Sequence, residues 1–569
     1  MPWHQLGGNI NGEAAGNQSG HSVSLSANGS IIAIGAPYNN GAGPNAGNVR
    51  VYELNGATWV PRGLAIDGKA AGDNSGYSVS LSADGSVVAI GSLYNTGSYW
   101  IAGHVRIYKW NGTAWNQRGS DIDGEAAGDG SGYSISLSAN GNVVAIGAPY
   151  NDEADVNAGH VRIYEWNGTA WNQRGFDIDG EAAEDWFGHS VSLSENGSVV
   201  AIGAINNDGA GGDAGHVRIY EWNGTVWSQL GGNINGEDVG DQSGYSVSLS
   251  ANGRVVAIGA TDNDDSGQSA GHVRVYELNG TVWSQLGGNI NGEAAGDRSG
   301  FSVSLSANGR VVAIGAPTNS GSGLYHGHVQ VYELNGATWV PRGLDIDGEA
   351  IKDFSGRVSL SEYGSVVAIG AAGNDESGDN AGNVRVFTYT QPTTATSVCF
   401  LADAPVLTPA GYKPISSLSV GDIVRTAAGR NVVVKRTFAK EYEPSAAANP
   451  FVIPKGMFGA LRALPISPNH EVMTAKGMVK AKNIGLPRMK MTGPFTYYNL
   501  ELEDWVRDNL VVAGVECESL APASRITMTK AEFLQFVKTR YGHSAAARLR
   551  LQSVCFEESN GIISMPALY

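Results

Sequence analysis

The sequence predicts an all-β protein: a seven-bladed β-propeller of four-stranded blades, then a second all-β unit and a short helical tail. Three observations carry this reading. The glycine that opens each unit recurs at Gly20, Gly76, Gly132, Gly188, Gly244, Gly300 and Gly356, always 56 residues apart, and self-similarity at a fixed period of this size marks a repeat architecture. Glycine, at 79 of 569 residues, is about twice its usual share, while charged residues at 16% fall below the usual quarter; such a balance suits a turn-rich sheet protein. A tryptophan also recurs late in each unit, at Trp59, Trp115, Trp171, Trp227, Trp283 and Trp339, and 56 residues before the first of these stands Trp3.

Each copy reads as four strands. Ser22-Val23-Ser24-Leu25-Ser26 alternates apolar with small hydroxyl residues, the pattern of a half-buried strand. Ile31-Ile32-Ala33-Ile34 is continuously apolar, as a strand covered on both faces is. Val49 to Leu54 makes the third strand, ending at an Asn55-Gly56 hairpin signal, and Trp59 marks the fourth. The seventh copy lacks one residue near Ser355-Gly356-Arg357-Val358 and stops near Thr388-Tyr389-Thr390-Gln391 without a tryptophan strand. The strand around Trp3 is expected to supply the missing one and close the ring, since an open solenoid would need a polar cap at each end. Seven four-stranded units lie within the known range of propellers.

These units resemble the FG-GAP repeats of integrin α-subunit heads, on Phe187-Gly188 and the Gly-Ala-Pro triplets at Gly35-Ala36-Pro37, Gly147-Ala148-Pro149 and Gly315-Ala316-Pro317. The resemblance spans residues 1–391 and implies a binding or adhesion platform for a protein or glycan ligand. It also raises the question of calcium in the propeller loops. The loops are irregular: Asn151-Asp152-Glu153-Ala154-Asp155, Asp262-Asn263-Asp264-Asp265, and Asn95-Thr96-Gly97-Ser98 with no acid at all. Calcium takes six to eight oxygens from a defined loop, so these read as solvated acidic turns first and calcium sites second. The blade junctions, such as Asp121-Ile122-Asp123-Gly124-Glu125, lack an EF-hand's third ligand and closing glutamate and read as ordinary Asx turns.

Beyond a polar linker, residues 392–398, the period vanishes and the charge changes sign. Lys and Arg less Asp and Glu gives 17 − 40 = −23 for residues 1–398 and 20 − 14 = +6 for residues 399–569. The acidic part offers no basic stripe, so nucleic acid is not expected as a partner. No apolar run reaches the roughly 20 residues a membrane-spanning helix needs. Three cysteines, Cys399, Cys517 and Cys555, are too few and of the wrong parity for a disulfide scaffold.

The second unit opens Cys399-Phe400-Leu401-Ala402-Asp403, continues through a Gly421-Asp422-Ile423-Val424 box and Ser467-Pro468-Asn469-His470, and runs into a late strand near Val512-Ala513-Gly514-Val515 and Glu518-Ser519. In this order the boxes resemble the Hint family, the self-processing domain of hedgehog C-terminal regions and inteins, and most of all its stand-alone microbial type. The resemblance covers residues 399–520 and implies a horseshoe-like all-β fold with autocatalytic cleavage of the Val398–Cys399 bond. It gives Cys399 the role of nucleophile, His470 that of general acid at the scissile amide, and Ser467 that of polarising the same bond. Thiols are the most reactive nucleophiles near neutral pH, and expulsion of an amine requires that its nitrogen be protonated, so these residue types suit the step. A thioester would follow, resolved by water, a thiol or an alcohol.

Glu518-Ser519 stands where inteins carry an asparagine for the second cut, so splicing is not expected. The resemblance also brings Cys517 toward Cys399 as a candidate second thiol, able to accept the acyl group or form a disulfide; its plainer reading is a buried apolar side chain. The alternative for the whole chain is a binding or adhesion protein whose Hint-like module is inert. Residues 521–569 form a tail in which Thr529-Lys530-Ala531-Glu532 is a capping box ahead of Phe533, Phe536 and Val537, so a helix is expected there. The first residues show no charged and apolar leader, although Hint relatives carrying binding platforms are often exported, which favours an extracellular or surface-associated location.

Overall fold

The computed structural model describes residues 3–390 except Ser98, and beyond them the strands and a few connecting residues between Phe400 and Ser564. The chain divides into two compact units, Met1–Gln391 and Pro392–Tyr569. The first contains seven antiparallel sheets, one for each copy of the 56-residue period.

The N-terminal strands are β1 (Trp3–Gln5) and β2 (Ile10–Asn11), and the first complete blade follows as β3 (Ser22–Leu25), β4 (Ile31–Ala36), β5 (Asn48–Asn55), β6 (Thr58–Pro61) and β7 (Ile66–Asp67). Every residue of β4 is buried, as its unbroken apolar run predicts. Small residues in β4 leave room for close blade packing: a Cβ on Gly35 would stand 2.0 Å from the carbonyl oxygen of Gly76 in the next blade. The apolar core accordingly lies between blades. Ile32, Ile34 and Trp59 of the first pack with Val366, Val384 and Val386 of the last.

The expected fourth strand is broken in two. Strand β6 pairs with the far half of β5 (Leu54↔Trp59, Tyr52↔Pro61), and β7 pairs with its beginning (Asn48↔Asp67, Val49↔Ile66). Between them the chain turns at Gly63, whose φ is +86° and whose added Cβ would meet the Trp110 ring of the next blade at 2.7 Å. A residue with a side chain would suffer both strain and clash there.

Ring closure follows the expectation. Strand β1 pairs with the strand Asn383–Tyr389 of the last blade (Trp3↔Tyr389, Gln5↔Phe387), and β2 pairs with the same strand (Ile10↔Val384). The tryptophans explain why the series runs one blade early. Each indole Nε1 donates to a carbonyl of the preceding blade at 2.7 Å: Trp59 to Leu6, Trp115 to Arg62, and so on round to Trp339 on Leu286, with Trp3 on Arg342 completing the circle. Serine hydroxyls of the first strands make a second circle, in which Leu81 N–H donates to Ser24 Oγ, Leu25 N–H to Ser359 Oγ and Leu360 N–H to Ser304 Oγ. The alternating hydroxyl residues of the sequence are thus bonded between blades.

The residue after each unit's opening glycine contributes to a ring of side chains. His21, Tyr77, Tyr133, His189, Tyr245 and Phe301 follow one another with ring centroids 4.8 to 5.3 Å apart, and Arg357 lies over the Phe301 ring at 4.4 Å. The copy with the missing residue is therefore the one that places a guanidinium among the aromatics.

In the second unit the described strands form two six-stranded sheets and one of three strands. The first orders Ile423–Arg425, Asn431–Tyr442, Phe495–Leu502, Phe400–Leu401, Leu464–Ile466 and Phe451–Ile453; the second orders Gly411–Pro414, Pro405–Thr408, Leu510–Val512, Val515–Cys517, Glu471–Thr474 and Gly477–Lys480. Within the tail, Thr527–Thr529, Ile562–Ser564 and Glu557–Ser559 pair as strands, and the helix expected from the capping box lies outside the described residues. No helix among the described residues is long and apolar enough to cross a membrane.

Candidate functional site

Of the residues predicted to carry the chemistry, Cys399, Ser467 and His470, with Val398, lie outside the described residues. Phe400, Ile466 and Glu471 are described, and strand register relates the first two. Phe400, which follows Cys399, pairs with Ile466, which precedes Ser467, and on its other side with Tyr498. Because the pairing is antiparallel, the start of the strand Phe400–Leu401 and the end of Leu464–Ile466 fall at one end of the pair. From there only Ser467-Pro468-Asn469-His470 separates Ile466 in the first sheet from Glu471 in the second. Cys517 belongs to the second sheet, where it pairs with Val472 and Leu510.

The propeller holds a set of polar groups that the sequence reading missed. Five of the 11 histidines recur at the 56-residue period, His104, His160, His216, His272 and His328, each opening the third strand of its blade. Asn48 and Asn383 hold the position in the first and last blades. All seven are buried. Carboxylates from blade junctions and loops face the imidazoles: Asp121 Oδ2 lies 3.5 Å from His104 Nδ1, Asp177 Oδ2 3.8 Å from His160 Nδ1, and Glu237 Oε2 3.7 Å from His272 Nδ1. Burial, and then the arginine two residues on, push the pKa of His104, His160, His216 and His272 down to about 4. Burial raises the Glu125 carboxyl, the nearby Arg162 opposes this, and Asp177 and Glu153 add to it.

The junction acids are thus not simple Asx turns. Asp121 accepts from the side chains of Gln117 and Lys69, while the backbone there is capped by Asp129, whose Oδ2 accepts from Glu125 N–H and Ala126 N–H. The acidic loops do behave as turns. Asn151 Oδ1 accepts from Glu153 N–H, Asp152 Oδ1 from Asn157 N–H and Asp264 Oδ1 from Ser269 N–H. One side-chain oxygen of each of these residues is thus bonded within its own turn. Strict recurrence of histidine was the signal available in the sequence.

Residues 398–524 match the Hint domain family, and residues 178–220 match the FG-GAP repeat family. The second match ends in the blade whose Phe187-Gly188 carries the motif; Phe187 is wholly buried beneath the Arg218 guanidinium at 4.2 Å. No curated protein matches the chain. Among solved structures, a Bacteroides uniformis protein provisionally described as a 6-phosphogluconolactonase is 12% identical, with 59% of this chain and 88% of that one covered at a TM-score of 0.42, a likeness too low to bear on fold or activity. The chain joins a seven-bladed β-propeller containing an FG-GAP repeat to a Hint domain.

Proposed function

We propose that this is a self-processing protein in which the Hint domain cleaves the Val398–Cys399 bond and so releases or transfers the propeller as a binding module. The observation that carries the reading is the register Phe400↔Ile466, in a family match that begins at residue 398. It pairs Phe400, the residue after Cys399, with Ile466, the residue before Ser467, which supports the reading.

In the proposed reaction the Cys399 thiolate attacks the Val398 carbonyl carbon. A C–S bond forms, the C–N bond breaks, and His470 delivers the proton that lets the Cys399 nitrogen leave as an amine. Ser467 polarises the same amide. The resulting thioester is then attacked by water, a thiol or an alcohol, which leaves Val398 as acid, thioester or ester and returns the Cys399 thiol. Residues 521–569 stand where hedgehog relatives carry the segment that selects the acceptor. The freed propeller, strongly acidic by its sequence, takes a protein or glycan ligand at the cell surface or beyond it.

A second reading, an adhesion protein with an inert Hint module, is favoured by one feature: Trp505-Val506-Arg507-Asp508 lacks the histidine often found in the late strand of Hint relatives. Electrophoresis of the chain after incubation with hydroxylamine, beside its Cys399→Ala variant treated alike, separates the two. Self-processing predicts two fragments from the parent and one full-length band from the variant. Equal cleavage of both, or none in either, would reject it.

A further inference from the structure

We propose that the propeller binds a divalent first-row transition ion, zinc by its donor chemistry, at two posts related by the repeat and centred on His160 and His272. The inference stands apart from self-processing and rests on the propeller alone. Both imidazoles are essentially inaccessible, 1% and 0% exposed, and neither ring nitrogen of either residue has a hydrogen-bond partner. Such buried polar groups are normally satisfied. Each ring is aimed into a carboxylate cluster: Glu125, Glu153 and Asp177 around His160, and Glu237 and Asp265 around His272, with the donor atoms of each group within 4.8 Å of one another.

The geometry orients the ligands. At the first post Asp177 Oδ1 accepts from Gln173 Nε2, leaving Oδ2 facing His160 Nδ1. Glu125 Oε1 pairs with Arg162 Nη1 at 3.2 Å. At the second, Glu237 Oε1 pairs with Arg274 Nη1 at 3.6 Å, while its Oε2 accepts from Asn289 Nδ2 at 3.1 Å and faces His272 with Asp265 Oδ2. Three carboxylates against one arginine leave the first post with two surplus negative charges and the second with one, so the first is the tighter. Burial keeps both imidazoles neutral at physiological pH, the form that ligates a metal. One imidazole nitrogen with two or three carboxylate oxygens suits zinc, whereas calcium takes oxygens alone. Zinc bonds of about 2.0–2.2 Å require the donors to draw together by roughly 1.5 Å, which rotation of the exposed Glu125 and Glu153 side chains supplies.

The other blades serve as internal comparisons. At His104 the residue 56 before Glu125 is Lys69, whose ammonium bonds Asp121, so a fixed cation already holds the ion's place. At His216 the loop position of Glu153 and Asp265 is Gly209, and at His328 it is Gly321. A loop acid and a histidine with both nitrogens unpartnered coincide at His160 and His272.

Zinc chloride titrated calorimetrically into the chelator-treated full chain tests this. His160→Asn and His272→Asn borrow the residue that the first and last blades hold at the same position, and Glu153→Gln with Asp177→Asn leaves the buried ring in place. The expected result is that His160→Asn and the Glu153→Gln, Asp177→Asn pair each remove one equivalent of bound zinc or weaken it at least tenfold. His272→Asn should remove another, and calcium chloride at the same concentration should not displace the zinc. Zinc binding of unchanged stoichiometry and affinity in the His160→Asn chain and in the paired variant, or ready displacement by calcium, would overturn the proposal. Zinc held by Cys399 or His470 cancels, because every variant retains both.

Discussion

The proposed chemistry asks different amounts of its three residues. Cys399 forms the new bond, so Cys399→Ala should abolish cleavage at Val398 altogether. Proton delivery by a positioned group typically accounts for 10²–10⁴-fold, so His470→Ala should slow processing by about that factor while leaving the thiol reactive. Ser467→Ala removes only a polarising contact and should slow it less. Quenched time courses of fragment appearance rank the three, and a His470→Ala chain that processes at the parent rate would remove that residue from the mechanism.

Two other histidines make a pH prediction. Burial holds the pKa of His21 down to about 3 and of His189 to about 4, with Arg357 adding to both. Their surroundings are the Tyr77, Tyr133 and Tyr245 rings and Arg357, and Tyr133 Oη lies 3.0 Å from His189 Nε2. Between pH 6.5 and about 4 the unfolded chain binds protons that the folded one excludes, so stability must fall as pH falls through that window. A melting series over this range should show the decline, and His21→Tyr with His189→Tyr should lessen it. Neither this ring nor the metal-post histidines were read from the sequence. Their period of 56 is visible there, but a lone histidine on an apolar strand has a bland structural reading, and only three dimensions show which acids face it.

At the scale of the element, the tryptophan latch is the device on which the ring depends. Trp3 is 5% exposed, meets Tyr389 edge-on at a 5.0 Å centroid distance and donates to the Arg342 carbonyl. Trp3→Phe keeps most of the packing and loses one hydrogen bond, at about 1 kcal/mol. Trp3→Ala removes the packing too, at about 3–5 kcal/mol, and releases the strand that closes the circle. Urea unfolding of the uncleaved Cys399→Ala chain carrying each change should reproduce this order; equal midpoints would mean that β1 is not a structural closure. This much was legible, because a tryptophan 56 residues ahead of the first complete copy had no other place to go. The break in the fourth strand was not. Arg62-Gly63-Leu64-Ala65 gives no pattern that separates a turn from a strand end, and what fixes the break is the approach of a neighbouring blade's Trp110 to Gly63.

At the scale of the whole molecule, the propeller and the Hint domain meet in sequence at a short linker, yet the propeller's closure lies entirely upstream of it. Both strands of the closing pair, Trp3–Gln5 and Asn383–Tyr389, precede residue 391. Cleavage at Val398 should therefore leave the propeller's melting temperature where it stands in the uncut chain, as expected of cargo meant to act after release. A marked drop on cleavage would mean that the second unit supports the first.

Self-processing is read out by the intact mass of the purified chain before and after hydroxylamine, beside the Cys399→Ala variant. At neutral pH hydroxylamine cuts a thioester and spares amides, the chain's Asn-Gly bonds included, so self-processing gives fragments matching residues 1–398, ending in a hydroxamate at Val398, and 399–569, from the parent alone. One uncut mass from both proteins would contradict it and leave the propeller's binding surface as the functional part of the chain.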